Sequence, residues 1–223
     1  MRYQVLACDY DGTLALNGRV SQSTVAALKR WLDAKRTLIL VTGRELPQLI
    51  DIFPELGLCH RVVAENGALL YRPATQQSVS LSEPPPESLI AAVKKRNIPV
   101  SIGRSILATW LPHEVEMLEA IQEAGVEWHL IFNKEAVMAL PTNVNKASGL
   151  NVALAELGLA AENVVGVGDG ENDHALLKMC GFGVAVANAV PALKETATWT
   201  TPGDHGTGVE QLIEKILVDD PNT

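Results

Sequence analysis

The sequence predicts an α/β fold in which a parallel-sheet core carries a small α+β insert. Near both ends of the chain, short apolar runs alternate with stretches of helical periodicity, which is the rhythm of βαβ units. In the middle of the chain this rhythm gives way to Pro84-Pro85-Pro86 and several close-set β-rich runs. The chain has 223 residues, of which 47% are hydrophobic, so it can bury a full core beneath such a sheet.

The core strands are predicted where apolar runs end in a glycine or a polar residue. Four clear runs and a later fifth cover residues 4–8, 37–42, 61–64, 164–168 and 184–186. Helices are predicted at residues 21–34, 146–157, 173–179 and 206–218. The apolar spacing of Val25, Leu28 and Leu32 supports the first helix, and either Ser21 or Ser23 is expected to cap it. Residues 219–223 are expected to form a frayed tail.

The predicted insert covers residues 72–141 and divides the core into residues 1–71 and 142–223. Its predicted elements are a helix near residues 87–96, a β-rich run at 100–111, a helix at 112–124, and strands at 126–132 and 136–141. Asn133-Lys134-Glu135 separates the last two strands and is expected to form a hairpin turn.

Charge and composition exclude several classes of function. The formal net charge is −8 and the sequence has no cluster of lysine and arginine, so neither a nucleic acid nor an anionic membrane is expected as a partner. Cys8, Cys59 and Cys180 are odd in number and widely spaced, which favours reduced thiols over a disulfide framework or a zinc site. No apolar run approaches the roughly 18 residues of a membrane span, and no signal peptide precedes the first strand, so the expected location is cytoplasmic.

The most informative motif is Asp9-Tyr10-Asp11-Gly12-Thr13, which directly follows the apolar run Val5-Leu6-Ala7-Cys8. A strand that delivers two carboxylates, one residue apart, into a glycine turn can hold a divalent cation and attack a phosphoryl group. The motif therefore predicts a phosphohydrolase. Similar acidic turns occur on protein surfaces and in calcium loops. However, the twelfth position of an EF-hand loop counted from Asp9 is Val20, which cannot supply the bidentate glutamate of such a loop.

Three further motifs follow, and each also has a simpler structural explanation. Thr42-Gly43-Arg44 ends a predicted strand, where a hydroxyl and backbone N–H groups can receive phosphoryl oxygens, although Thr42 can instead cap a helix. Lys146 opens a helix and can bring positive charge to a phosphoryl group, although most isolated lysines are solvated. Gly168-Asp169-Gly170-Glu171-Asn172-Asp173 offers the oxygen ligands that Mg²⁺ prefers, although an acidic turn can also cap the next helix.

In this order along the chain, the four motifs resemble those of the haloacid dehalogenase superfamily of phosphatases. The match extends over essentially the whole chain and implies a Rossmann-like fold for the core. The insert lies between the Thr42 and Lys146 motifs, and this position is similar to that of the C2-type cap, in its C2B form, of the Cof-like subgroup. Ala64-Glu65-Asn66-Gly67-Ala68 resembles a segment common in that subgroup. The resemblance implies an insert that closes over the site and excludes water.

The resemblance also implies roles for individual residues. Asp9 is expected to be the nucleophile that forms an aspartyl-phosphate, and Asp11 to protonate the leaving oxygen and then activate the attacking water. The expected ligands of Mg²⁺ are Asp9, the backbone carbonyl of Asp11, Asp169 and, through water, Asp173. The residues expected to bind the phosphoryl group or to position Asp9 are Thr42, Gly43, Arg44, Lys146 and Asn172.

The predicted activity is Mg²⁺-dependent hydrolysis of a small phosphate monoester, either a sugar phosphate or a phosphorylated acid such as phosphoglycolate. The alternatives are a phosphomutase of the same superfamily and a catalytically idle binding module. The candidate specificity residues are polar or amphipathic side chains beside predicted strands of the insert: Arg104, Trp110, His129 and Asn133. His205 is expected in a surface loop, with a position near the metal as the alternative. The sequence leaves the oligomeric state open.

Overall fold

The computed structural model describes residues 2–220 and shows an α/β fold with two β-sheets. In chain order, the strands are β1 Val5–Cys8, β2 Thr37–Val41, β3 Arg61–Ala64, β4 Leu69–Arg72, β5 Gln77–Ser80, β6 Ser101–Ile102, β7 Leu107–Trp110, β8 Trp128–Asn133, β9 Ala136–Pro141, β10 Val164–Gly168, β11 Phe182–Ala185 and β12 Trp199–Thr200. The helices are α1 Gln22–Asp33, α2 Leu46–Ile52, α3 Glu87–Lys95, α4 Glu114–Ala124, α5 Lys146–Leu157, α6 His174–Met179, α7 Pro191–Thr196 and α8 His205–Asp219. Short 3₁₀ turns cover Pro54–Leu58, Glu65–Gly67, Ala161–Asn163 and Glu171–Asp173.

The larger sheet has eight strands in the order β12-β11-β10-β1-β2-β3-β4-β5. Its first six strands run parallel, and β4 and β5 add an antiparallel extension at one edge. β1 lies between β10 and β2, and every residue of β1 and β10 is buried, as expected for parallel strands covered on both faces. The carboxyl ends of β1, β2 and β10 therefore meet at one edge of the sheet, where folds of this kind bind their ligands.

The smaller sheet is antiparallel, in the order β6-β7-β9-β8, and we call this sheet together with α3 and α4 the insert. It has an apolar core of its own, to which α3 contributes Leu89 and Val93, α4 contributes Met117 and Ile121, and β7 contributes Leu107. A separate apolar cluster joins the insert to the rest of the chain and contains Ala68, Ile106, Met138, Leu140 and Val144.

The predicted fold class is confirmed, and several predicted elements have the observed bounds. These elements are Arg61–Ala64, Ala136–Pro141, Lys146–Leu157 and Val164–Gly168. Ser21 rather than Ser23 caps α1, because its Oγ accepts the backbone N–H of Thr24 at 3.1 Å. A strong apolar run or a strong capping residue is a local signal, which is why the sequence defines these elements well.

The elements that the sequence prediction lacks include β4 and β5. Gln77–Ser80 lies beyond the predicted boundary at residue 72 and pairs with β4 in the larger sheet. Its side chains are mostly polar and exposed, so no apolar run marks it as a strand. Pairing with β4, rather than local propensity, defines this segment. The division into residues 1–71, 72–141 and 142–223 stays a prediction.

Among the other predicted segments whose bounds differ from the structure, three are instructive. The run at 100–111 forms two short strands, β6 and β7, which pair with each other. Helix α4 begins at Glu114 rather than at residue 112, because Leu111 and Pro112 form a turn before it. Residues 171–173 form a 3₁₀ turn, so the next helix begins at His174.

The predicted frayed tail is wrong for the two of its residues that the structure describes. Asp219 ends α8, and the Asp220 carboxylate accepts the backbone N–H groups of Arg2 and Tyr3 at 2.8 Å. Arg36 also pairs with Asp220, so the end of α8 is tied to the segment that leads into β1. Residues 221–223 of the predicted tail lie outside the described residues.

The three cysteines are free thiols, as predicted. Burial raises the pKa of Cys8 well above its usual value and that of Cys59 to about 12, so both stay protonated at neutral pH. Within residues 2–220, no helix combines the length and the apolar composition that a membrane span requires.

Candidate active site

The four sequence motifs meet at the carboxyl edge of the larger sheet. Asp9 and Asp11 follow β1, Thr42 follows β2, and Asp169 follows β10. The last residue of β1 is level with the penultimate residues of β2 and β10, so the three loops start close together. Lys146 joins them as the first residue of α5, where a capping box fixes the start of the helix.

Lys146 is the centre of a buried ion cluster with Asp9 and Asp173, which we call the Lys146 cluster. Lys146 Nζ lies 2.6 Å from Asp9 Oδ1 and 2.7 Å from Asp173 Oδ1, and none of the three side chains is more than 3% exposed. The backbone N–H groups of Asp169 and Gly170 donate to Asp173 Oδ2 at 3.0 Å. Asp9 Oδ2 is buried and has no hydrogen-bond partner among the described residues. Lys146 therefore holds one oxygen of Asp9, while the other is left for a ligand or a substrate.

Three carboxylates at the site have the arrangement of a metal-binding group. Asp9, Asp169 and Asp173 bring one oxygen each within 4.8 Å of one another. Carboxylate oxygens are the ligands that Mg²⁺ prefers, and a cation there would offset the negative charge that three buried carboxylates bring together. Thr13 Oγ1 donates to Asp169 Oδ1 at 3.0 Å and so orients this carboxylate. The donor set therefore fits a divalent metal ion.

Gly12 allows the loop after β1 to pass directly against Asp169. Its φ angle is +81°, and a Cβ atom at this position would lie 2.3 Å from Asp169 Oδ2. Any other residue would be strained in this conformation and would displace the carboxylate. The glycine of the first motif thus sets how closely the loops after β1 and β10 approach.

Burial and an excess of carboxylates dominate the electrostatics of the Lys146 cluster. Burial raises the pKa of Asp9 well above its usual value, the charge of Lys146 lowers it in part, and the charges of Asp173 and Asp169 raise it again. Burial by itself lowers the pKa of Lys146, but its contacts with Asp173 and Asp9 outweigh burial and raise that pKa. Lys146 therefore stays protonated, and a further positive charge beside Asp9 would favour its ionised form.

Asp11 and Arg44 form a second, more open ion pair, which we call the outer pair. Arg44 Nε and Nη2 donate to Asp11 Oδ2 and Oδ1 at 2.6 and 2.7 Å, a bidentate geometry. About one-third of each side chain is exposed, 35% for Asp11 and 30% for Arg44. Thr42 Oγ1 accepts the backbone N–H of Arg44 at 3.1 Å, which turns the loop after β2 back over Thr42.

A cavity of about 300 Å³ lies between this edge of the sheet and the insert. The large-sheet side of its wall is polar and charged, and it contains Asp9, Asp11, Thr42, Gly43, Arg44, Glu45 and Gln48. The insert side is more apolar, and it contains Ser101, Ile106, Ala108, Thr109, Trp110, Asn133, Ala136 and Met138. A phosphate ester in this cavity would have its charged group near the sheet and the rest of the molecule near the insert.

Two of the four predicted specificity residues line the cavity. They are Trp110, which is 56% exposed, and Asn133, whose buried Oδ1 atom has no hydrogen-bond partner in the described part of the chain. Arg104 instead donates to Ser78 Oγ at 2.7 Å, and His129 lines a separate groove. His129 and Asn133 share one face of β8 but lie at opposite ends of it, and only the end near the hairpin tip reaches the cavity.

Asn172 contacts a neighbouring loop rather than Asp9. Its Nδ2 atom donates to Asn66 Oδ1 at 2.8 Å, and Asn66 Nδ2 lies 2.8 Å from Met138 Sδ of the insert. Gly43 packs against the same asparagine, because a Cβ atom there would lie 3.1 Å from Asn66 Nδ2. Asn172, Gly43 and Met138 thus meet at Asn66, which links the loops after β2, β3 and β10.

The predicted loop position of His205 is wrong, because this residue starts α8. Its backbone N–H donates to Asn188 Oδ1 at 2.8 Å, and Asn188 Nδ2 donates to the carbonyl oxygen of Gly12 at 2.7 Å. His205 therefore supports the loop after β1 through Asn188 and is not a member of the carboxylate group.

Sequence reasoning missed two residues at the site, Asn66 and Lys134. Lys134 lies at the tip of the β8–β9 hairpin, and its Nζ atom is 2.6 Å from Asp169 Oδ2. In the sequence this lysine is recognisable only as a turn residue. Its position over Asp169 depends on how the insert packs on the larger sheet, and local patterns contain no information about that packing.

Comparison with known proteins places the chain among hydrolases. The family model for haloacid dehalogenase-like hydrolases matches residues 6–113 and 113–213. A phosphoglycolate phosphatase from Methanothermobacter thermautotrophicus is 30% identical over 221 residues, which cover 96% of this chain and 99% of the relative. Phosphoglycolate phosphatase 2 from Saccharolobus solfataricus is 32% identical over 220 residues, which cover 96% of this chain and 92% of the relative.

A solved structure shows the same fold at lower sequence identity. A sugar phosphatase of haloacid dehalogenase subclass IIB matches with a TM-score of 0.79 at 18% identity, and the match covers 96% of this chain and 98% of that one. Both sheets of the present structure are therefore part of a shared architecture.

Proposed function

The chain belongs to the haloacid dehalogenase-like hydrolase family, and we propose that it hydrolyses small phosphate monoesters through an aspartyl-phosphate formed on Asp9. The observation that carries this proposal is the arrangement of the Asp9 carboxylate. Asp9 lines the cavity, and one of its oxygens is held 2.6 Å from Lys146 Nζ. Its other oxygen is buried and has no hydrogen-bond partner among the described residues. A carboxylate oriented in this way is suited to attack a phosphoryl group in the cavity.

The relatives support a phosphatase that acts on small phosphates. Two relatives with nearly full coverage are phosphoglycolate phosphatases, and the structural neighbour is a sugar phosphatase. The cavity volume of about 300 Å³ is at the small end of ligand pockets and suits a compact ester. We therefore propose a phosphorylated acid or a sugar phosphate as the substrate.

In the first step, Asp9 Oδ2 forms a bond to phosphorus while the bond between phosphorus and the ester oxygen breaks. Asp11 lines the same cavity and enters this step in its protonated form, so that it donates that proton to the leaving oxygen. In the second step, Asp11 accepts a proton from a water molecule that attacks the aspartyl-phosphate. The bond between phosphorus and Asp9 Oδ2 then breaks, which releases inorganic phosphate and restores the carboxylate.

Lys146, Thr42 and the backbone N–H groups near Gly43 are proposed to bind the phosphoryl oxygens, since all lie at the same edge of the sheet. Asp9, Asp169 and Asp173, with the backbone carbonyl of Asp11, would hold a bound Mg²⁺, which would supply the positive charge that offsets repulsion between Asp9 and an anionic ester. Asn172 is proposed to act through Asn66, by fixing the loops that carry these groups.

Of the alternatives, the idle binding module agrees least with the structure. Burying two carboxylates with one lysine has a large desolvation cost, and a module without chemistry would have no use for it. A phosphomutase would use the same Asp9 and Asp11, so only the products distinguish it from a phosphatase. The cytoplasmic location stays a prediction.

The test is release of inorganic phosphate from phosphoglycolate, glycerol phosphate, hexose phosphates and nucleotides, each with Mg²⁺ or with a chelator. Wild-type protein is expected to release phosphate only with the metal. Asp9→Asn is expected to lose at least about 1,000-fold in rate, as is typical when a nucleophile is removed. Its circular dichroism spectrum should match that of the wild type.

Two outcomes would contradict the proposal. Unchanged phosphate release by Asp9→Asn would refute the nucleophile assignment. Conversion of one hexose phosphate into another with little free phosphate would identify a phosphomutase instead.

A further inference from the structure

Lys134 brings a positive charge from the insert to the carboxylates at the edge of the larger sheet. Its Nζ atom lies 2.6 Å from Asp169 Oδ2. The Asp169 side chain is fully buried, whereas 48% of the Lys134 side chain is exposed. The lysine therefore reaches the carboxylates from the solvent side, and its side chain has room to move away from them.

The backbone of the hairpin tip is held in place independently of the lysine side chain. The Lys134 N–H donates to Glu171 Oε2 at 3.0 Å. Asn133 packs so closely on Gly170 that a Cβ atom there would lie 2.4 Å from Asn133 Oδ1. Lys134 also adopts a left-handed conformation, with φ of 54°, which shapes the turn. Movement of the ammonium group would thus leave the tip where it is, beside the cavity.

Lys134 and a divalent ion would compete for the same carboxylate. Lys146 pairs with Asp9 and Asp173, whereas Lys134 pairs with Asp169. An ion held by these three carboxylates would therefore lie beside the Lys134 ammonium. Like charges this close repel each other. The half-exposed Lys134 side chain can move away into solvent, whereas the buried Lys146 side chain cannot.

Two other cations near the cavity already have carboxylate partners. Arg44 is bound in a bidentate pair by Asp11, and Lys146 is bound by Asp9 and Asp173. A substrate with a second anionic group, such as a carboxylate beside its phosphate, needs one further positive charge. Lys134 does not itself line the cavity, but it directly follows Asn133, which does. Its half-exposed side chain can therefore supply that charge only once it leaves Asp169.

We propose that Lys134 is a specificity-determining residue for phosphate esters that have a second anionic group. When a divalent ion binds, Lys134 leaves Asp169, and its ammonium group then binds the second anion of the substrate. The inference rests on the proposed phosphatase function. It deepens that function by naming phosphorylated acids, rather than neutral polyol phosphates, as the preferred substrates.

The first test measures metal binding without substrate, by titrating wild-type, Lys134→Met and Lys94→Met proteins with Mn²⁺ and following free Mn²⁺ by electron paramagnetic resonance. Lys94 is an exposed lysine on α3 of the same insert, so its variant is the matched control. Because Lys134→Met removes a competing charge, it should bind Mn²⁺ at least about fivefold more tightly than the wild type. Lys94→Met should agree with the wild type within about twofold.

The second test compares kcat/KM for 2-phosphoglycolate with that for glycerol 1-phosphate, which has a neutral second end. Lys134→Met should lower kcat/KM for phosphoglycolate by about 10- to 100-fold, mainly through KM, because one charge-assisted hydrogen bond is lost. The value for glycerol 1-phosphate should change less than about threefold. Lys134→Arg keeps the charge and should retain most of the preference.

Three results would overturn the inference: Mn²⁺ affinity that is unchanged or weaker in Lys134→Met, an equal loss for both substrates, or a wild-type preference for glycerol 1-phosphate. Failure of the proposed function is a different result, since no protein would then release phosphate from any ester. The Mn²⁺ titration reports on Lys134 even in that case.

Discussion

The site contains two ion clusters of opposite character. The Lys146 cluster is sealed, since none of its side chains is more than 3% exposed, and backbone N–H groups also hold Asp173. The outer pair of Asp11 and Arg44 is about one-third exposed and is held by its own bidentate contact. The proposed nucleophile is therefore sealed from solvent and oriented by a buried lysine, whereas the proposed acid–base group is open to solvent and oriented by an arginine.

Burial also makes the two clusters respond differently to the loss of a partner. Removing one member of a buried cluster leaves a charge without compensation, which costs about 3–5 kcal/mol. An exposed ion pair contributes only about 0–1 kcal/mol, because water screens it. Variants of the Lys146 cluster should therefore lose stability and activity together, whereas variants of the outer pair should lose activity alone.

The largest effect is expected for Lys146→Met. The substitution leaves Asp9 and Asp173 buried without their shared cation, so the free energy of unfolding should fall by about 3 kcal/mol or more. Phosphate release should fall at least about 1,000-fold, since the same lysine orients Asp9. Urea denaturation in the presence of a chelator measures the first effect, with Lys94→Met as the control.

Repeating this denaturation with Mg²⁺ separates charge from packing. If uncompensated carboxylates cause the loss, a saturating divalent ion should restore a large part of the stability of Lys146→Met, because the ion binds the folded state alone. A loss that Mg²⁺ does not change would mean that packing of the lysine stem is responsible. An unfolding midpoint equal to that of the wild type would refute the description of this cluster as tightly coupled.

Arg44→Gln should have a smaller and more selective effect. Because the outer pair is partly exposed, the free energy of unfolding should change by no more than about 1 kcal/mol. The value of kcat should fall about 10- to 100-fold, since Asp11 loses the partner that positions it for proton transfer.

Steady-state kinetics on a simple phosphate ester distinguish the roles open to Arg44. A fall in kcat with little change in KM supports positioning of Asp11. A rise in KM alone would show that Arg44 binds the phosphoryl group directly, as its place in the second motif also permits. Unchanged values of both would remove Arg44 from the site.

The sequence predicts the sealed part of the site better than the open part. Asp9, Thr42 and Asp169 each follow an apolar strand, and parallel strands bring such positions to one edge of a sheet. Lys146 is predictable from its place where the chain returns from the insert to the core. Even the metal-binding group can be inferred in this way, because it depends on strand order and not on side-chain conformation.

The open part of the site depends on tertiary contacts that local patterns do not contain. Arg44 and Asp11 are both predicted at the site, but their pairing is a matter of side-chain conformation. Lys134 cannot be recognised as a site residue from the sequence, because its position depends on the packing of the insert on the sheet. The role of Asn66 also depends on tertiary contacts. This residue lies in a segment that resembles one of the family, but its link between loops is seen only in the structure.

Glu65 provides a third case that isolates burial from ion pairing. Its carboxylate is buried, accepts the N–H of Ser105 from the insert at 2.9 Å, and forms no ion pair among the described residues. Burial raises its pKa above the usual value, and backbone hydrogen bonds from Ser105 and Arg104 offset only part of that rise. Burial therefore raises the pKa of Glu65, which has no lysine partner in the described part of the chain, just as it raises the pKa of Asp9.

The smallest expected effect follows from the sign of this shift. The folded state holds the Glu65 proton more tightly than the unfolded state, so Glu65 contributes stability below the ordinary glutamate pKa and loses it as pH rises through the raised value. As pH rises through this interval, Glu65→Gln should therefore gain stability relative to the wild type, because glutamine does not titrate. Denaturation of both proteins at several pH values measures this difference. A difference that does not vary with pH would contradict this prediction, because it would mean that the backbone hydrogen bonds to Glu65 fully offset its burial.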